Sequence, residues 1–249
     1  MEVNIISAES ITAYLIENYL TLDQLANESN STPKEIRDLV TSRCAPSASY
    51  TTSPSIQISS QLYASIENYK SQEQTFYSPS IICSIKKCQK WKGGSRQALA
   101  AALYNEFEAE FFSSLVAREA QNFGFEEVFE KMNLNPDKAR PLAKRAWESF
   151  LKGIYGICVR GNVTADSIVR KAIAINRVAL LTNNGSQAEI SASLRPSLIV
   201  ALREFDSAVS RFAPHDWPTS SRKRLFDDLV PKYNLETEFP NFRIQPDRN

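Results

Sequence analysis

Residues 164–178, TADSIVRKAIAINRV, decide the fold class of this chain. After Thr164, apolar residues recur every three or four positions, at Ile168, Val169, Ala172, Ile173, Ile175 and Val178. This spacing follows the 3.6-residue period of an α-helix and places the apolar side chains on one face. Because threonine caps the first turn of a helix, we predict that a helix begins directly after Thr164.

The same periodicity extends along most of the chain on both sides of this stretch. Residues 95–115, SRQALAAALYNEFEAEFFSSL, predict a long helix after Ser95. The pattern also predicts a short helix around Val128, a longer one after Asn135 and a last one capped by Ser220 or Ser221. We expect Arg195-Pro196 to break the intervening helical pattern. The predicted fold class is therefore all-α.

The first 50 residues predict a small module of three short helices. Thr21 with Gln24, and Thr32 with Glu35, have the spacing of a capping box, which marks a helix start. Two short helices linked across residues 27–32 are typical of a helix-turn-helix. We predict a helix-turn-helix-like module over 1–50, a wing or linker over 51–77, a helical domain over 78–231 and an irregular tail over 232–249.

The composition argues against several classes of protein. The chain has 249 residues and a net charge of +1, so no overall field attracts nucleic acid or membrane surfaces. Its seven glycines form neither GxGxxG nor GxxxxGK[ST], which disfavours the phosphate-cradling nucleotide folds. Four cysteines without a CxxC pair, together with one histidine, make a Cys/His metal site improbable. We predict no cofactor and no metal.

The location of the protein is predicted from its N-terminus and its apolar runs. The first 20 residues contain acids and no basic segment, unlike a signal peptide. No apolar run approaches the roughly 18 residues that a membrane span requires. We therefore expect no membrane association and a cytoplasmic location, where the cysteines remain structural thiols.

Two stretches carry a resemblance to a known family. Residues 147–160 are WESFLKGIYGICVR, and residues 206–225 are DSAVSRFAPHDWPTSSRKRL. Together with YLTLDQL at 19–25 and YSPS at 77–80, they resemble an uncharacterised bacterial family of natural product biosynthesis proteins. Where that family is expected to have Ser-Pro-Phe, this chain has Ser210-Arg211-Phe212. The resemblance implies a pathway context, without a mechanism or catalytic residues.

Three residues are candidates for catalysis. His215 lies between Pro214 and Pro218, on a loop that we expect to be rigid. Its neighbour Asp216 can orient the ring and favour its charged form, which suits a general base. If Cys158 lies near His215, the two would form a nucleophile pair. The alternatives are that His215 closes a corner between two helices and that Cys158 is a buried structural thiol.

Four residues are candidates for ligand binding. Ser220, Ser221 and Arg222 stand at a predicted helix start, where amide groups and a cationic side chain attract phosphate or carboxylate. Arg160, at the end of the first resemblance stretch, is the fourth candidate. The alternative for the two serines is ordinary helix capping.

The function that these observations favour is an accessory or catalytic protein of bacterial secondary-metabolite biosynthesis. Its helical ligand-binding domain would take a small-molecule or carrier-bound substrate. The alternatives are a helix-turn-helix regulator of a biosynthetic cluster and a scaffold for a carrier protein or synthetase. Residues 1–50 contain seven acids and three bases, a net charge of −4, which argues against nucleic-acid binding by this module. Whether the protein is an enzyme, and its oligomeric state, stay open.

Overall fold

A computed structural model of the chain describes residues 8–53, 57–61, 65–67 and 73–244. Helices dominate these residues, which confirms the prediction of a mainly helical chain. The α-helices span Ala8–Asn18 (α1), Leu22–Ser29 (α2), Pro33–Thr41 (α3), Ile81–Gln89 (α4), Arg96–Ala117 (α5), Pro136–Leu151 (α6), Tyr155–Cys158 (α7), Ala165–Thr182 (α8), Arg195–Ala208 (α9) and Leu229–Lys232 (α10).

The predicted helix starts are confirmed where the capping residues were recognisable. The Thr164 hydroxyl accepts a hydrogen bond from the Ser167 amide at 3.1 Å, and the Ser167 hydroxyl accepts one from the Thr164 amide at 2.8 Å. Thr21 and Thr32 form the same reciprocal capping box at the starts of α2 and α3. These boxes satisfy amide groups that have no partner within the helix.

Two helix predictions are wrong at their boundaries. Pro196 does not break a helix but lies in the first turn of α9, where its missing N–H removes no hydrogen bond. Near Val128, a 3₁₀ turn leads into a hairpin of Phe129–Glu130 (β6) and Asn133–Leu134 (β7). The two residues between these strands, Lys131 and Met132, both have positive φ, as a tight hairpin turn requires. Neither is a residue type that signals such a turn.

A five-stranded antiparallel sheet makes the chain mainly helical rather than all-α. Its strands are Leu20–Thr21 (β1), Tyr50–Ser53 (β2), Gln57–Ser60 (β3), Ser65–Glu67 (β4) and Gln74–Tyr77 (β5). Their order in the sheet is β1-β5-β2-β3-β4. Each strand has four residues or fewer, so alternating hydrophobicity is a weak signal; it predicted a short strand over 55–59, which overlaps β3, and not the rest of the sheet. Residues 54–56, 62–64 and 68–72 of the predicted wing or linker lie outside the described part.

The chain forms two compact units, each assembled from separate stretches. The first unit comprises the described residues within 1–108, 144–157 and 213–216. The second comprises those within 109–143, 158–212 and 217–249. As a result, α5 and α6 each contribute residues to both units.

The core of the first unit combines helical and aromatic packing. Apolar side chains of α2, α3 and α4 form one buried cluster, which includes Leu25, Ile36 and Ile85. Trp147 of α6 is also buried, with its ring centroid 5.2 Å from those of both Phe107 and Phe150. The helical spacing of Trp147 and Phe150 in the sequence already indicated such a packing face.

Two glycines allow residues 153–156 to approach the start of β2 in the first unit. Gly153 has φ +77°, and a Cβ there would stand 2.6 Å from the carbonyl oxygen of Ser47. A Cβ on Gly156 would stand 2.6 Å from the Ser49 hydroxyl. In this close arrangement, the Ser49 hydroxyl donates a hydrogen bond to the Gly153 carbonyl at 2.9 Å. The contact fixes the backbone immediately before Tyr50.

In the second unit, α8 packs against α9 around buried residues such as Leu198 and Phe205. A β-bridge joins Val159 to Val209, just after α9. The Arg160 amide donates to the Ala208 carbonyl at 3.0 Å. These backbone contacts hold Arg160 against the C-terminal end of α9.

Candidate functional site

The predicted catalytic pair His215 and Asp216 lies in a buried turn of the first unit. The Asp216 amide donates a hydrogen bond to the Ala213 carbonyl at 3.0 Å. The His215 side chain is 2% exposed, and its Nε2 lies 3.7 Å from Oδ2 of Asp216. Neither nitrogen of this ring has a hydrogen-bond partner among the described residues. The ring is therefore held by packing more than by polar contacts.

Two tyrosines, neither of which was a predicted site residue, complete this buried cluster. The Tyr50 hydroxyl donates to Oδ2 of Asp216 at 2.9 Å. Its ring packs edge-on against Tyr19, with 4.9 Å between centroids, and lies 5.8 Å from the His215 ring. The Tyr19 hydroxyl donates to the Gly156 carbonyl at 3.2 Å. The loop at His215 and strand β2 are thus joined by a polar contact within an aromatic layer.

Burial controls protonation in this His215 cluster, comprising Tyr19, Tyr50, His215 and Asp216. It lowers the pKa of His215 below the ordinary value of 6.5, although the Asp216 carboxylate acts in the opposite direction. It raises the pKa of Asp216 above 3.8, against hydrogen bonds from Tyr50 and Ser60 and the charge of His215. Burial also raises the pKa values of Tyr50 and Tyr19 well above 10. The Asp216 carboxylate favours the charged ring, as expected, but desolvation outweighs it and leaves the pKa of His215 lowered.

The His215 cluster has the chemistry of a structural contact. A general base must reach the proton that it removes, and this ring is enclosed, with its side chain only 2% exposed. The arrangement favours the alternative in which His215 closes a corner of the fold. The catalytic role of His215 and Asp216 stays a prediction.

Cys158, the third catalytic candidate, belongs to the second unit. It is 2% exposed at the end of α7, and its sulfur accepts a hydrogen bond from Nζ of Lys171 at 2.9 Å. Because His215 belongs to the first unit, neither unit by itself contains the proposed Cys–His pair. Burial of the thiol favours its structural interpretation.

Of the two predicted ligand-binding serines of the second unit, Ser220 acts in helix capping. The buried Ser220 hydroxyl accepts a hydrogen bond from the Lys223 amide at 3.1 Å and donates to the Trp217 carbonyl at 2.7 Å. Ser221 is half-buried. This geometry favours capping over anion binding at Ser220.

The two predicted ligand-binding arginines, in contrast, meet in the second unit at Asp206. Arg222 donates to Oδ1 of Asp206 at 2.6 Å and to the Val209 carbonyl at 3.2 Å, although its side chain is only 5% exposed. Arg160 donates to the main-chain carbonyl of Asp206 at 2.7 Å and lies 3.4 Å from its carboxylate. One carboxylate therefore orients two guanidinium groups from distant parts of the sequence.

The buried face of Arg222 is supported by further contacts. Its guanidinium lies over the Phe226 ring, 4.8 Å from the centroid, and its Nε is 3.7 Å from Oδ1 of Asp227. Asp227 accepts a hydrogen bond from the indole of Trp217 at 2.7 Å. Burial raises the pKa of Asp227, opposed by that bond and by Arg222. Arg222 is thus fixed in place rather than free to swing.

These arginines open onto a groove of about 530 Å³ that we call the arginine groove. Its charged lining has five guanidinium groups and two carboxylates, a net charge of +3. Three phenyl rings form its apolar part. The residues that line the arginine groove are Arg160, Arg203, Asp206, Ser207, Arg211, Arg222, Phe226, Glu238, Phe239, Pro240, Asn241, Phe242 and Arg243.

Sequence reasoning missed much of this lining because it comes from three places in the chain. Arg203 and Arg211 lie on and after α9. The tail, which we predicted to be irregular, folds back so that Phe239 and Phe242 contact Phe226 at 5.4 and 6.0 Å between centroids. The aromatic residues of the tail were the available signal, since solvated tails rarely need them.

Comparison with known proteins identifies the family of the chain. A family model described as "Family of unknown function (DUF6058)" matches residues 103–234, which is more than half of the chain. The chain belongs to DUF6058. The matched range includes Arg160, Asp206 and Arg222, whereas the tail that completes the arginine groove lies beyond it. No curated protein and no solved structure matches this DUF6058 chain.

In the part of the chain that the structure describes, no group of three or more His, Cys, Asp or Glu residues is arranged to hold a metal ion. None of the helices described has the length and apolar character needed to cross a bilayer.

Proposed function

We propose that this protein binds an anionic small molecule, free or carrier-bound, in the arginine groove and serves as an accessory protein of natural product biosynthesis. The observation that carries the binding proposal is the convergence of five arginines on one concave surface with two carboxylates. The resemblance of residues 147–160 and 206–225 to natural product biosynthesis proteins supports the pathway. The candidate catalytic residues His215, Asp216 and Cys158 are buried, whereas the arginine groove is accessible, so binding is proposed ahead of catalysis.

The excess positive charge favours an anion as the occupant. Asp206 is shared between Arg160 and Arg222, and Glu238 lies 3.4 Å from Arg203. With five guanidinium groups and two carboxylates, the lining has a formal net charge of +3. Guanidinium groups remain protonated in proteins and bind carboxylate or phosphate through paired N–H donors. An anion in the groove therefore gains charge-assisted hydrogen bonds.

The arginine groove is also organised before a ligand arrives. Arg222 is held by Asp206, Val209 and Phe226, so its side chain loses little further freedom on binding. A volume of about 530 Å³ is in the range of small-molecule sites. The fixed base and the exposed rim together suit recognition of a small anion rather than of an extended polymer.

A titration with inorganic pyrophosphate at constant ionic strength tests the binding proposal. The variant removes two rim cations, Arg203→Gln with Arg243→Gln, and leaves Arg222 in place. The matched control is Arg140→Gln, because Arg140 is an exposed arginine of the same unit outside the groove. We expect calorimetry to show at least about a 10-fold weaker affinity in the double variant, equivalent to about 1.4 kcal/mol. Equal affinity in all three proteins would refute the proposal.

A complementation experiment tests the pathway assignment separately. In the source organism, deletion of the gene should reduce a secondary metabolite, and the Arg140→Gln protein should restore it. The Arg203→Gln, Arg243→Gln protein should accumulate normally without restoring the product. An unchanged metabolite profile after deletion would contradict the pathway assignment while leaving anion binding intact.

Transcriptional regulation is the second candidate, supported by the short connection between α2 and α3. Only residues 30–32 separate these helices, and Asn30 adopts the left-handed conformation that ends α2. The negative charge of residues 1–50 opposes DNA binding, and Lys34 of α3 is paired with Asp38. We expect the full-length protein not to bind its own promoter at physiological salt. Submicromolar, salt-sensitive binding in a fluorescence anisotropy titration would instead favour the regulator.

A further inference from the structure

We propose that residues 86–96, KKCQKWKGGSR, bind single-stranded nucleic acid through phosphate contacts and base stacking. This lysine–tryptophan segment lies in the first unit, so the proposal does not depend on the arginine groove or on the function proposed for it. Three observations carry it. They are an uninterrupted exposed surface, lysines without paired carboxylates, and an accessible indole ring.

The lysine–tryptophan segment is an exposed connection on a fixed base. It runs from the last turn of α4 to the first residue of α5, and every residue from Gln89 to Arg96 is exposed. The Trp91 amide donates a hydrogen bond to the carbonyl of the buried Cys88 at 3.2 Å. The Gln89 side chain donates to the Ser29 carbonyl at 2.9 Å, which ties the end of α4 to α2. The segment therefore presents its side chains to solvent from an anchored backbone.

Cations are concentrated in this segment, although the chain as a whole is nearly neutral. Five of its eleven residues are cationic and none is acidic, the cations being Lys86, Lys87, Lys90, Lys92 and Arg96. Lys87 is paired with Glu106, and the charge of Arg96 interacts with the carboxylate of Glu35. Among the described residues, no carboxylate forms an ion pair with Lys86, Lys90 or Lys92. These three lysines are therefore available to an anionic partner.

Trp91 adds an aromatic surface to these cations. It is 38% exposed, and it stands in the sequence between Lys90 and Lys92. The ring packs against the backbone at Gly93, where a Cβ would stand 2.9 Å from its Cζ2 atom. The absence of a side chain at Gly93 permits this approach. Bases of a single strand stack on such exposed aromatic rings, while neighbouring cations contact the phosphates.

The composition of the segment favours a nucleic acid over an acidic protein surface. Lysine is depleted in protein–protein interfaces, whereas arginine is enriched there. Four of the five cations here are lysines, which bind phosphate as point charges without the planar fork that arginine offers to carboxylates. Because the bases of a duplex are stacked on one another, a single strand is needed to place a base on Trp91.

Titration with single strands tests the stacking contact. Oligothymidine and oligouridine of about 12 nucleotides are added to the full-length protein at about 50 mM salt. Binding should quench tryptophan fluorescence in the wild type, and this quench should be absent in Trp91→Ala. By fluorescence anisotropy of a labelled strand, Trp91→Ala should bind at least about 5-fold more weakly, the lower end of one base–aromatic stack. The strand that binds more tightly identifies DNA or RNA as the partner. Failure of the wild type to bind either strand overturns the proposal.

The salt dependence of binding tests the phosphate contacts. The variant is Lys90→Gln with Lys92→Gln, and the matched control is Lys144→Gln with Lys152→Gln, which removes two exposed lysines of the same unit outside the segment. Each phosphate contact on a single strand contributes about 0.7 to the slope of log affinity against log salt concentration. The slope should therefore decrease by about 1.4 in the variant and stay unchanged in the control. Equal slopes in all three proteins would mean that these lysines do not contact phosphate, contrary to the proposal.

Two further probes separate other polyanions from a single strand. Poly-glutamate presents carboxylates without bases, and the duplex of the thymidine strand with its complement presents phosphates with its bases paired. We expect poly-glutamate to bind at least about 10-fold more weakly than the single strand, and Trp91→Ala to leave its affinity and that of the duplex unchanged. Equally tight binding of poly-glutamate would make the segment a docking site for an acidic protein. If Trp91→Ala affects neither the single strand nor the duplex, the segment attracts any polyanion. Either result shows that the proposal is wrong.

Discussion

The His215 cluster in the first unit and the arginine groove in the second use charge in opposite ways. In the cluster, burial moves the pKa of His215 down and that of Asp216 up, so both groups tend towards their neutral forms. In the arginine groove, guanidinium groups that cannot lose their protons surround two carboxylates and face an open volume. An accessible surface with an excess of positive charge is therefore a stronger indication of function here than a buried ionisable pair.

Substitutions in the two regions should also affect different properties, namely stability in the His215 cluster and ligand binding in the arginine groove. Enclosed polar groups are costly when a partner is removed, because the remaining partner stays desolvated. Exposed cations at a rim contribute little to stability, yet they are the groups that an incoming anion meets. Changes in the His215 cluster should thus appear in unfolding measurements, and changes at the groove rim should appear in ligand titrations.

The largest effect on stability should come from Trp147→Ala in the first unit. Trp147 is buried against Phe107 and Phe150, and truncating a buried Trp costs about 3–5 kcal/mol. Chemical denaturation measures the change in unfolding free energy. The control is Trp91→Ala, which removes an exposed indole and should cost about 0.5 kcal/mol or less. Similar stability of both variants would show that the Trp147 face is not core.

A smaller loss is expected for Tyr50→Phe. The substitution removes the hydroxyl that donates to the buried Asp216 carboxyl, which should lower the unfolding free energy by about 1–3 kcal/mol. Tyr104→Phe serves as the control, because its hydroxyl contacts the solvent-accessible Glu108. Wild-type stability in Tyr50→Phe would mean that the hydrogen bond to Asp216 does not hold the turn at His215.

The pH dependence of stability tests the neutral state of His215. Because burial lowers its pKa in the folded protein, the unfolded chain binds more protons as the pH falls below 6.5. The contribution of His215 to the free energy of unfolding is therefore fully present above pH 6.5. It is lost as the pH falls towards the pKa of His215 in the folded protein. The raised pKa of Asp216 acts oppositely, since protonation of this residue favours the folded state.

Denaturation midpoints between about pH 8 and about pH 6 should accordingly fall less in His215→Gln than in the wild type. His215→Gln is expected to be less stable overall, but its slope with pH, not its absolute stability, is the test. Parallel slopes in the two proteins would indicate that His215 titrates alike in the folded and unfolded states, as a solvent-accessible ring does. That result would revive its candidacy as a general base.

Helix starts were predicted well from the sequence wherever a capping residue precedes the helix. Thr21, Thr32 and Thr164 each start a helix, since their side chains satisfy amide groups a few residues away. The β6–β7 hairpin escaped prediction because Lys131 and Met132 occupy left-handed conformations that neither residue favours. Short strands such as β2 escaped it because their partners are determined by contacts distant in the sequence.

The candidate site was predictable only in part for the same reason. Arg222 was recognisable as a cation at a predicted helix start and Arg160 as the end of a resemblance stretch, but their shared partner Asp206 is a long-range contact. Tyr50 contacts Asp216, 166 positions away, and nothing in the local pattern links the two. The pKa of His215 was misjudged because its neighbour in sequence was visible, whereas its burial was not.

The division between the two regions is tested most directly by a crossed measurement of affinity and stability. Affinity for inorganic pyrophosphate and unfolding free energy are measured in Tyr50→Phe and in the Arg203→Gln, Arg243→Gln protein. We predict that Tyr50→Phe loses about 1–3 kcal/mol of stability and retains wild-type affinity. The double arginine variant should retain stability to within about 0.5 kcal/mol and bind at least about 10-fold more weakly. Wild-type affinity in the arginine variant, with affinity lost in a folded Tyr50→Phe protein, would contradict the account.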